Sequence, residues 1–359
     1  MTSSPGRHTG NGFILDMHVH VAGIGAGSGC FIAPRLRGNW RFGLYLKAFG
    51  TSRREIEQHG DAVVIRRIQE SLRESRLVDG ALLLALDKVY DPVGGEPNPG
   101  LTEIYVPNEF VRDGIAPFPN LYFGASVNPY RPDWEEELQR VHGDNALLIK
   151  WLPAVQHIDP SDPAIIPFYR RIRELGLPLL VHTGAERSFS TPHDALGDPH
   201  LLHLPLREGV TVIAAHVATT GKKEGVEYFE RLLPMLVRYD NLYADISSLT
   251  QLNKCRYPQR VLKRRDLFAK LLFGSDFPLT NAGLGPFRLV SPLYFFPALP
   301  PGKILTLGRE KNVWDRDVLL KRALGFPEEV FTRPAAMLLR RSGIKPGESG
   351  NQGVRGRPR

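Results

Sequence analysis

The sequence is poor in cysteine and has no long uninterrupted hydrophobic run. Its two cysteines, Cys30 and Cys255, are too few for the disulfide framework of a small secreted domain. Its apolar runs are interrupted within about ten residues, well short of the roughly 18 that a transmembrane helix needs. The opening segment MTSSPGRHTG lacks the regions of a secretory signal. We therefore expect a soluble, cytoplasmic protein without a membrane partner.

Signatures of nucleic-acid binding are also missing, although the formal net charge is +8. The positive excess lies largely in the last twenty or so residues, in a Gly-rich end that is nearly free of apolar side chains. No zinc-finger spacing and no interleaved aromatic and basic strand pattern accompanies it. We expect 1–12 to be a flexible N-terminus and 343–359 to be a basic disordered tail, with no nucleic-acid partner.

What the sequence does have is length and a repeated pattern of short apolar runs. With 359 residues and 42% hydrophobic content, the chain can bury one large core. Near-continuous apolar runs are typical of strands buried on both faces, and they occur at 14–21, 79–86, 120–127, 146–152, 177–184, 210–217, 241–247 and 271–277. Helical periodicity or loops fill the intervals. In 162–176, for example, Asp162 is a capping residue and Gly176 ends the helix.

These eight units predict an α/β chain that folds as one (β/α)8 TIM barrel over 13–342, with an open doubly wound sheet as the competitor. Two segments exceed a minimal barrel. One is the extended connection at 22–77 after the first strand, and the other is the C-terminal extension at 280–340. Because long connections are commonly functional, we predict that both form lids over the C-terminal ends of the strands.

Five polar side chains fall at the C-terminal ends of predicted strands, where TIM barrels place their active sites. His18 and His20 are two residues apart on the first strand, so both point into the barrel. His182, His216 and Asp276 end the fifth, sixth and eighth strands. Buried imidazoles and carboxylates are costly unless they are paired or bind a metal. The pattern favours a divalent metal centre over a set of hydrogen-bonded core residues.

The motifs DMHVH, VHTGAE, AAHVATTG and FGSDFP resemble those of the amidohydrolase superfamily, in particular its branch of TIM-barrel metal-dependent hydrolases that includes non-oxidative decarboxylases. The resemblance extends over residues 13 to 340. It implies that His18, His20, His182 and Asp276 bind a catalytic metal. It also implies that His216 polarises the substrate or transfers a proton. AAHVATTG departs from the pattern, since many relatives have Gly-Gly after this histidine and the residue that follows it.

Two basic residues, Lys150 and Arg187, each have more than one candidate role. Lys150 lies in the fourth strand, where binuclear members of the superfamily carry a carboxylated lysine that bridges two metals. We favour a salt bridge or a contact with a substrate anion, because a buried lysine needs a negative partner, and hence one metal per chain. Arg187 extends the VHTGAE turn, where it either meets a substrate carboxylate or forms a surface ion pair.

The functional hypothesis is a metal-dependent hydrolase of a small carboxylated substrate, with Zn favoured over Mn. A metal-activated water would attack a C–N, C–O or C–C bond while Asp276 accepts its proton and His216 orients the scissile group. Non-oxidative decarboxylation at the same site is the alternative. A non-catalytic metal-binding scaffold is the less favoured hypothesis, and a homodimer is left open.

Overall fold

The structure, a computed structural model, describes residues 12–186, 189, 192–278 and 292–344. Eight parallel strands follow one another in chain order: β1 (Leu15–His20), β2 (Gly80–Leu84), β3 (Leu121–Gly124), β4 (Ile149–Trp151), β5 (Leu179–Val181), β6 (Val212–Ala214), β7 (Leu242–Asp245) and β8 (Leu271–Leu272). Strands β1 to β3 form a three-stranded sheet, and β4 to β8 form a five-stranded sheet. Parallel bridges from Ala125 to Ile149 and from Val19 to Phe277 join the two sheets at both edges. The predicted α/β barrel is therefore confirmed.

Helices follow the strands and carry the connections. In the described residues they are α1 (Pro34–Arg37), α2 (Trp40–Ala48), α3 (Arg53–His59), α4 (Ala62–Arg73), α5 (Asn108–Ile115), α6 (Trp134–Gly143), α7 (Pro153–Gln156), α8 (Ile166–Glu174), α9 (His203–Arg207), α10 (Tyr228–Arg238), α11 (Tyr257–Leu262), α12 (Pro301–Arg309), α13 (Val313–Leu324) and α14 (Glu328–Arg341). Short antiparallel pairs link Phe31–Ile32 to Ile104–Tyr105 and Lys222–Lys223 to Val226–Glu227.

The helix expected within 162–176 begins and ends as its sequence predicts. Asp162 accepts a hydrogen bond from the backbone N–H of Ala164 at 2.8 Å and so caps the first turn. A 3-10 turn at Pro163–Ile165 leads into α8. Gly176 follows with a φ of 68°, a left-handed conformation that glycine adopts without steric cost.

The connection after β1 covers the C-terminal side of the barrel, as predicted. It contains α1 to α4, and Leu36, Phe42 and Leu46 from this segment line the central cavity. The buried carboxylate of Asp61 holds the Gly-rich turn in place, since it accepts the backbone N–H of Ile24 at 2.7 Å. This segment therefore forms one wall of the cavity.

The predicted lid role of 280–340 is wrong for α14, which packs at the opposite end of the barrel. Its Leu338 and Leu339 belong to the interior cluster that also contains Leu15 of β1. Its Arg333 donates to the carbonyl of Phe268, just before β8, at 2.9 Å. The helix covers the N-terminal opening because its apolar face fills the space between the first residues of the strands. Residues 279–291 lie outside the described part.

The remaining expectations concern the cysteines, the membrane and the chain ends. Cys30 and Cys255 are both free thiols. Among the described residues, no helix is both long enough and apolar enough to cross a membrane. The proposed flexible N-terminus and most of the proposed basic tail lie outside the described residues.

Candidate metal centre

Three of the predicted ligands meet where β1 lies beside the end of β8. The Nε2 atom of His20 is 3.1 Å from Asp276 Oδ1, and the Nε2 atom of His18 is 3.6 Å from the same oxygen. The Asp276 backbone N–H donates to the carbonyl of His18 at 2.9 Å, with Asp276 in the left-handed region. Gly274 makes this approach feasible, because an added Cβ would lie 2.7 Å from His18 Cβ. His18 is fully buried, whereas the side chain of His20 is 26% exposed.

The other two predicted histidines stand across the barrel mouth from this cluster. His182 directly follows β5, and its ring centroid is 5.0 Å from that of His216 after β6. The His216 ring in turn stacks on His18 with centroids 5.1 Å apart. The buried Nε2 atom of His182 has no hydrogen-bond partner in the described residues, and Glu186 Oε2 is 3.5 Å from it.

Sequence reasoning missed Asp245, the last residue of β7. Its Oδ2 atom accepts a hydrogen bond from His18 Nδ1 at 2.8 Å, and its Oδ1 atom accepts the backbone N–H of His216 at 2.8 Å. Burial raises the pKa of Asp245, but His18 and the hydroxyl of Ser247 outweigh burial and hold the pKa well below its usual range. A lone carboxylate that ends the apolar NLYAD strand was the available signal. Asp245 fixes the His18 ring with Nε2 toward Asp276.

Hydrogen bonding around His216 sets its tautomer. The Ser247 hydroxyl donates its proton to the Asp245 carboxylate, which can only accept. Ser247 Oγ therefore accepts from His216 Nδ1 at 2.7 Å, and the Ser247 carbonyl lies 3.3 Å from the same nitrogen. The proton thus sits on Nδ1, and Nε2 keeps a free lone pair.

Three imidazoles of the site, those of His18, His182 and His216, are neutral. Burial lowers the pKa of His18 to about 4, with help from the Lys150 ammonium, and burial lowers the pKa of His182 to about 4. Burial also places the pKa of His216 well below its ordinary value. Neutral imidazole nitrogens and an ionised carboxylate are the donors that Zn²⁺ and related divalent ions prefer.

Lys150 does not form the expected salt bridge within the described residues. Its Nζ atom contacts the Nε2 atom of His18 at 3.0 Å, and both side chains are fully buried. Burial lowers the pKa of Lys150 to about 8, although Asp245 and Asp276 pull it upward. Its hydrogen-bond partner is thus the neutral imidazole of His18. A bridging role of Lys150 between two metals stays a prediction. Arg187, the other basic candidate, lies outside the described residues.

A cavity of about 260 Å³ opens above these groups. His20, His182, His216 and Asp276 line its floor. Its wall is largely apolar and is formed by side chains that include Leu36, Phe42, Leu46, Phe49, Leu84, Leu86 and Leu152. Its volume is close to the lower end of the roughly 300–1,000 Å³ typical of ligand sites. The cavity therefore suits a small molecule with an apolar part.

The donor set fits a divalent metal ion. The ligand atoms of His18, His20 and Asp276 lie within 4.8 Å of one another, and so do those of His18, His216 and Asp245. His182 is in neither group, but its orphaned Nε2 atom is the kind of buried polar atom that a metal would satisfy. The residues present thus fit the divalent metal that the sequence motifs imply. His182 is the one proposed ligand that lies outside both groups.

Comparisons with known proteins agree with this architecture. A family model described as amidohydrolase (Amidohydro_2) matches residues 16–301. The comparison with curated proteins finds no match. Among solved structures, an uncharacterised TIM-barrel protein of Bordetella bronchiseptica aligns with a TM-score of 0.57 at 14% identity, over 92% of this chain and 99% of that chain.

Two further structures are less similar. A probable 2-pyrone-4,6-dicarboxylic acid hydrolase of Acinetobacter baumannii aligns with a TM-score of 0.49 at 15% identity, over 87% of this chain and 99% of that chain. A 5-carboxyvanillate decarboxylase of Sphingomonas paucimobilis aligns with a TM-score of 0.48 at 13% identity, over 93% and 99%. Because the family match spans most of the sequence, the chain belongs to the amidohydrolase family of enzymes.

Proposed function

We propose that the chain is a metal-dependent hydrolase acting on a C–N, C–O or C–C bond of a small carboxylated substrate. The observation that carries the proposal is the convergence of imidazoles and the Asp276 carboxylate on the floor of a small cavity. His18, His20, His182 and Asp276 would hold one divalent metal, with Zn favoured over Mn. Such a metal supplies Lewis acidity, which brings the pKa of water toward neutrality.

Asp276 is suited to accept a proton at the cavity floor. Burial raises its pKa, but the hydrogen bond from His20 and the charge of nearby groups outweigh burial and lower it. Its carboxylate is therefore ionised at neutral pH. Its Oδ1 atom is shared between His20 and His18, which orients the group. In hydrolysis Asp276 would take the proton of the attacking water and deliver it to the leaving group.

In this tautomer His216 presents an unprotonated nitrogen to the cavity. Its Nδ1 atom faces Ser247, so its unprotonated Nε2 atom is the nitrogen left for the cavity. This favours proton transfer over the polarising role, which needs a proton on Nε2. His216 would thus accept a hydrogen bond from water or substrate at Nε2, and its low pKa means that it would pass a proton on rather than retain it.

Non-oxidative decarboxylation is the second candidate, and the apolar wall of the cavity favours it. Loss of CO2 converts a charged carboxylate into a neutral product, and an apolar wall disfavours the charged ground state. The same floor residues would then protonate the carbon that loses the carboxyl group. The two reactions differ in their products, so a screen that follows both CO2 and hydrolysis products separates them.

The decisive experiment is metal analysis of protein purified without chelators. We expect one divalent transition-metal ion per chain in the wild type, loss of that ion in His18→Ala, and retention in Lys150→Ala. Two ions per chain, with one lost in Lys150→Ala, would instead indicate a binuclear hydrolase with a bridging lysine. Absence of metal after reconstitution would overturn the proposal. A screen of carboxylated amides, lactones and aryl acids then follows.

A further inference from the structure

Lys254 is a buried lysine that no step of the proposed reaction uses. It ends the short 3-10 turn Leu252–Lys254 after β7 and is 7% exposed. It is the sole lysine or arginine among the described residues that line the cavity. Its Nζ atom donates to the Ser248 hydroxyl, which also lies 3.0 Å from His216 Nδ1. Its ammonium group is therefore positioned beside the cavity floor.

The charge of Lys254 is not neutralised by a direct ion pair in the described part of the chain. No carboxylate there lies within the 4.0 Å of an ion pair with its Nζ atom, and its described partner is the neutral hydroxyl of Ser248. The carboxylates of Asp276 and Glu186 attract it from farther away, while burial lowers its pKa. A buried charge without a paired counter-charge is costly.

The protein treats another buried lysine very differently. Lys321 of α13 is buried as well, and its Nζ atom lies 2.6 Å from Asp317 Oδ2 and 2.9 Å from the carbonyl of Gly274. That lysine is satisfied by the fold itself. Lys254 differs from Lys321 in having no such partner, and it differs from the fully buried Lys150 in lining the cavity, so a counter-charge for Lys254 can arrive from the cavity.

The acidic residues of the cavity leave room for such an anion. Glu186 Oε2 lies 3.5 Å from His182 Nε2, and Asp276 Oδ1 lies 3.1 Å from His20 Nε2. Both carboxylates are thus turned toward imidazoles. Much of the remaining lining is hydrocarbon and includes Phe42 and Phe49 from the segment after β1. A ligand that satisfies the cavity has one anionic group and a compact apolar body.

We infer that Lys254 is the specificity-determining residue that binds the substrate's carboxylate, while a single ring or a similarly small hydrocarbon body packs on the wall around Phe42 and Phe49. This inference rests on the proposed function, because it assigns the substrate class of the same cavity. It separates binding of the anion, at Lys254, from the chemistry at the imidazole floor. Ser248 holds the ammonium in place through its hydrogen bond.

Binding of two matched probes tests this inference without turnover. Benzoate and benzamide have the same ring and nearly the same shape, but only benzoate is charged. Calorimetric titration of the purified full-length protein is expected to give benzoate a roughly 10- to 100-fold lower Kd, the range of a charge-assisted hydrogen bond. In Lys254→Met this preference is expected to disappear, and in Lys254→Arg it is expected to persist. Lys263→Met removes the same charge from an exposed position and should behave like the wild type.

Three outcomes would overturn the inference: equal affinity for the two probes in the wild type, a benzoate preference that survives in Lys254→Met, or no binding of either probe. The wild-type comparison stands even where a variant fails to fold. Metal analysis distinguishes a failure of the proposed function from a failure of this inference. Metal-free protein with a Lys254-dependent preference would contradict the proposed function alone, whereas metal-loaded protein without the preference would contradict this inference alone.

Discussion

Asp245 determines which nitrogen of His18 carries a proton. Its ionised carboxylate accepts from Nδ1, so Nε2 carries the lone pair, which faces Asp276 and the Nζ atom of Lys150. Carboxylate partners of this kind orient metal-binding histidines and raise their basicity. Asp245 also holds His216 through its backbone N–H and through Ser247. One carboxylate therefore orients two imidazoles of the site.

We expect Asp245→Asn to weaken metal binding by roughly 10- to 100-fold, as loss of such a partner typically does. The amide would donate to His18 Nδ1 and shift the ring proton to Nε2, which removes the lone pair that a metal needs. Competition with a chelator of known affinity, followed by elemental analysis, measures the effect.

Asp16→Asn is the matched control. Asp16 is buried on the same strand and accepts from the backbone N–H of His18 at 3.1 Å and of Ser275 at 2.9 Å, while its Oδ2 atom has no partner in the described residues. Burial raises the pKa of Asp16 to about 7. We expect this variant to keep its metal affinity. Equal losses in both variants would contradict the orienting role of Asp245.

At the scale of elements, helices α2 and α14 occupy opposite ends of the barrel and should be separable by experiment. Leu46 of α2 lines the cavity, whereas Leu338 of α14 packs in the barrel interior beneath the strands. Both side chains are buried. We expect Leu338→Ala to lower the free energy of unfolding by roughly 2–5 kcal/mol, as large-to-small changes in cores do, without changing ligand affinity.

Leu46→Ala is the matched change at the other end, and we expect it to change the Kd for benzoate. Urea denaturation and calorimetric titration of both variants provide the two measurements. If Leu338→Ala changed the affinity for benzoate while the protein stayed folded, this result would support the sequence-based prediction that the C-terminal region forms a lid over the cavity.

The positions of the strands were predictable, and the backbone at their ends was not. Apolar runs located all eight strands, because burial on both faces requires continuous hydrophobic residues. The backbone conformation of the loop after β6 could not be predicted from the sequence in this way. His216, Val217 and Ala218 have φ values of 59°, 49° and 49°. Left-handed backbone is uncommon for residues other than glycine, and three side chains with a Cβ give no local sign of it.

Two residues of the site, Lys254 and Asp245, show a similar limit of prediction from the sequence. His18, His20, His182, His216 and Asp276 were predicted because each lies near the C-terminal end of a predicted strand and belongs to a motif that resembles a known family. Lys254 lies nine residues beyond Asp245, in a 3-10 turn whose path into the cavity depends on tertiary packing. Nothing in the spacing of the LNK segment distinguishes a buried lysine from a solvated one.

At the scale of the whole molecule, the barrel has two seams where its sheets meet through single bridges. One seam joins β1 to the end of β8, where His20 N–H donates to the Phe277 carbonyl at 2.8 Å. The other joins β3 to β4, where Lys150 N–H donates to the Ala125 carbonyl at 2.7 Å. His18, His20 and Asp276 stand on the first seam. A metal held by them would tie the two sheets together there.

We therefore expect metal removal to loosen the first seam selectively. A ligand that binds the folded state at 100 times its Kd stabilises it by about 2.7 kcal/mol, so chelation should lower the Tm. Hydrogen exchange at the backbone amides of His20 and Asp276 should accelerate more than at Ala125 and Lys150. The β3–β4 seam is the internal control, since it has the same type of bridge. Uniform acceleration at both seams would mean that the metal stabilises the barrel globally, and unchanged exchange at His20 and Asp276 would place the metal away from this seam.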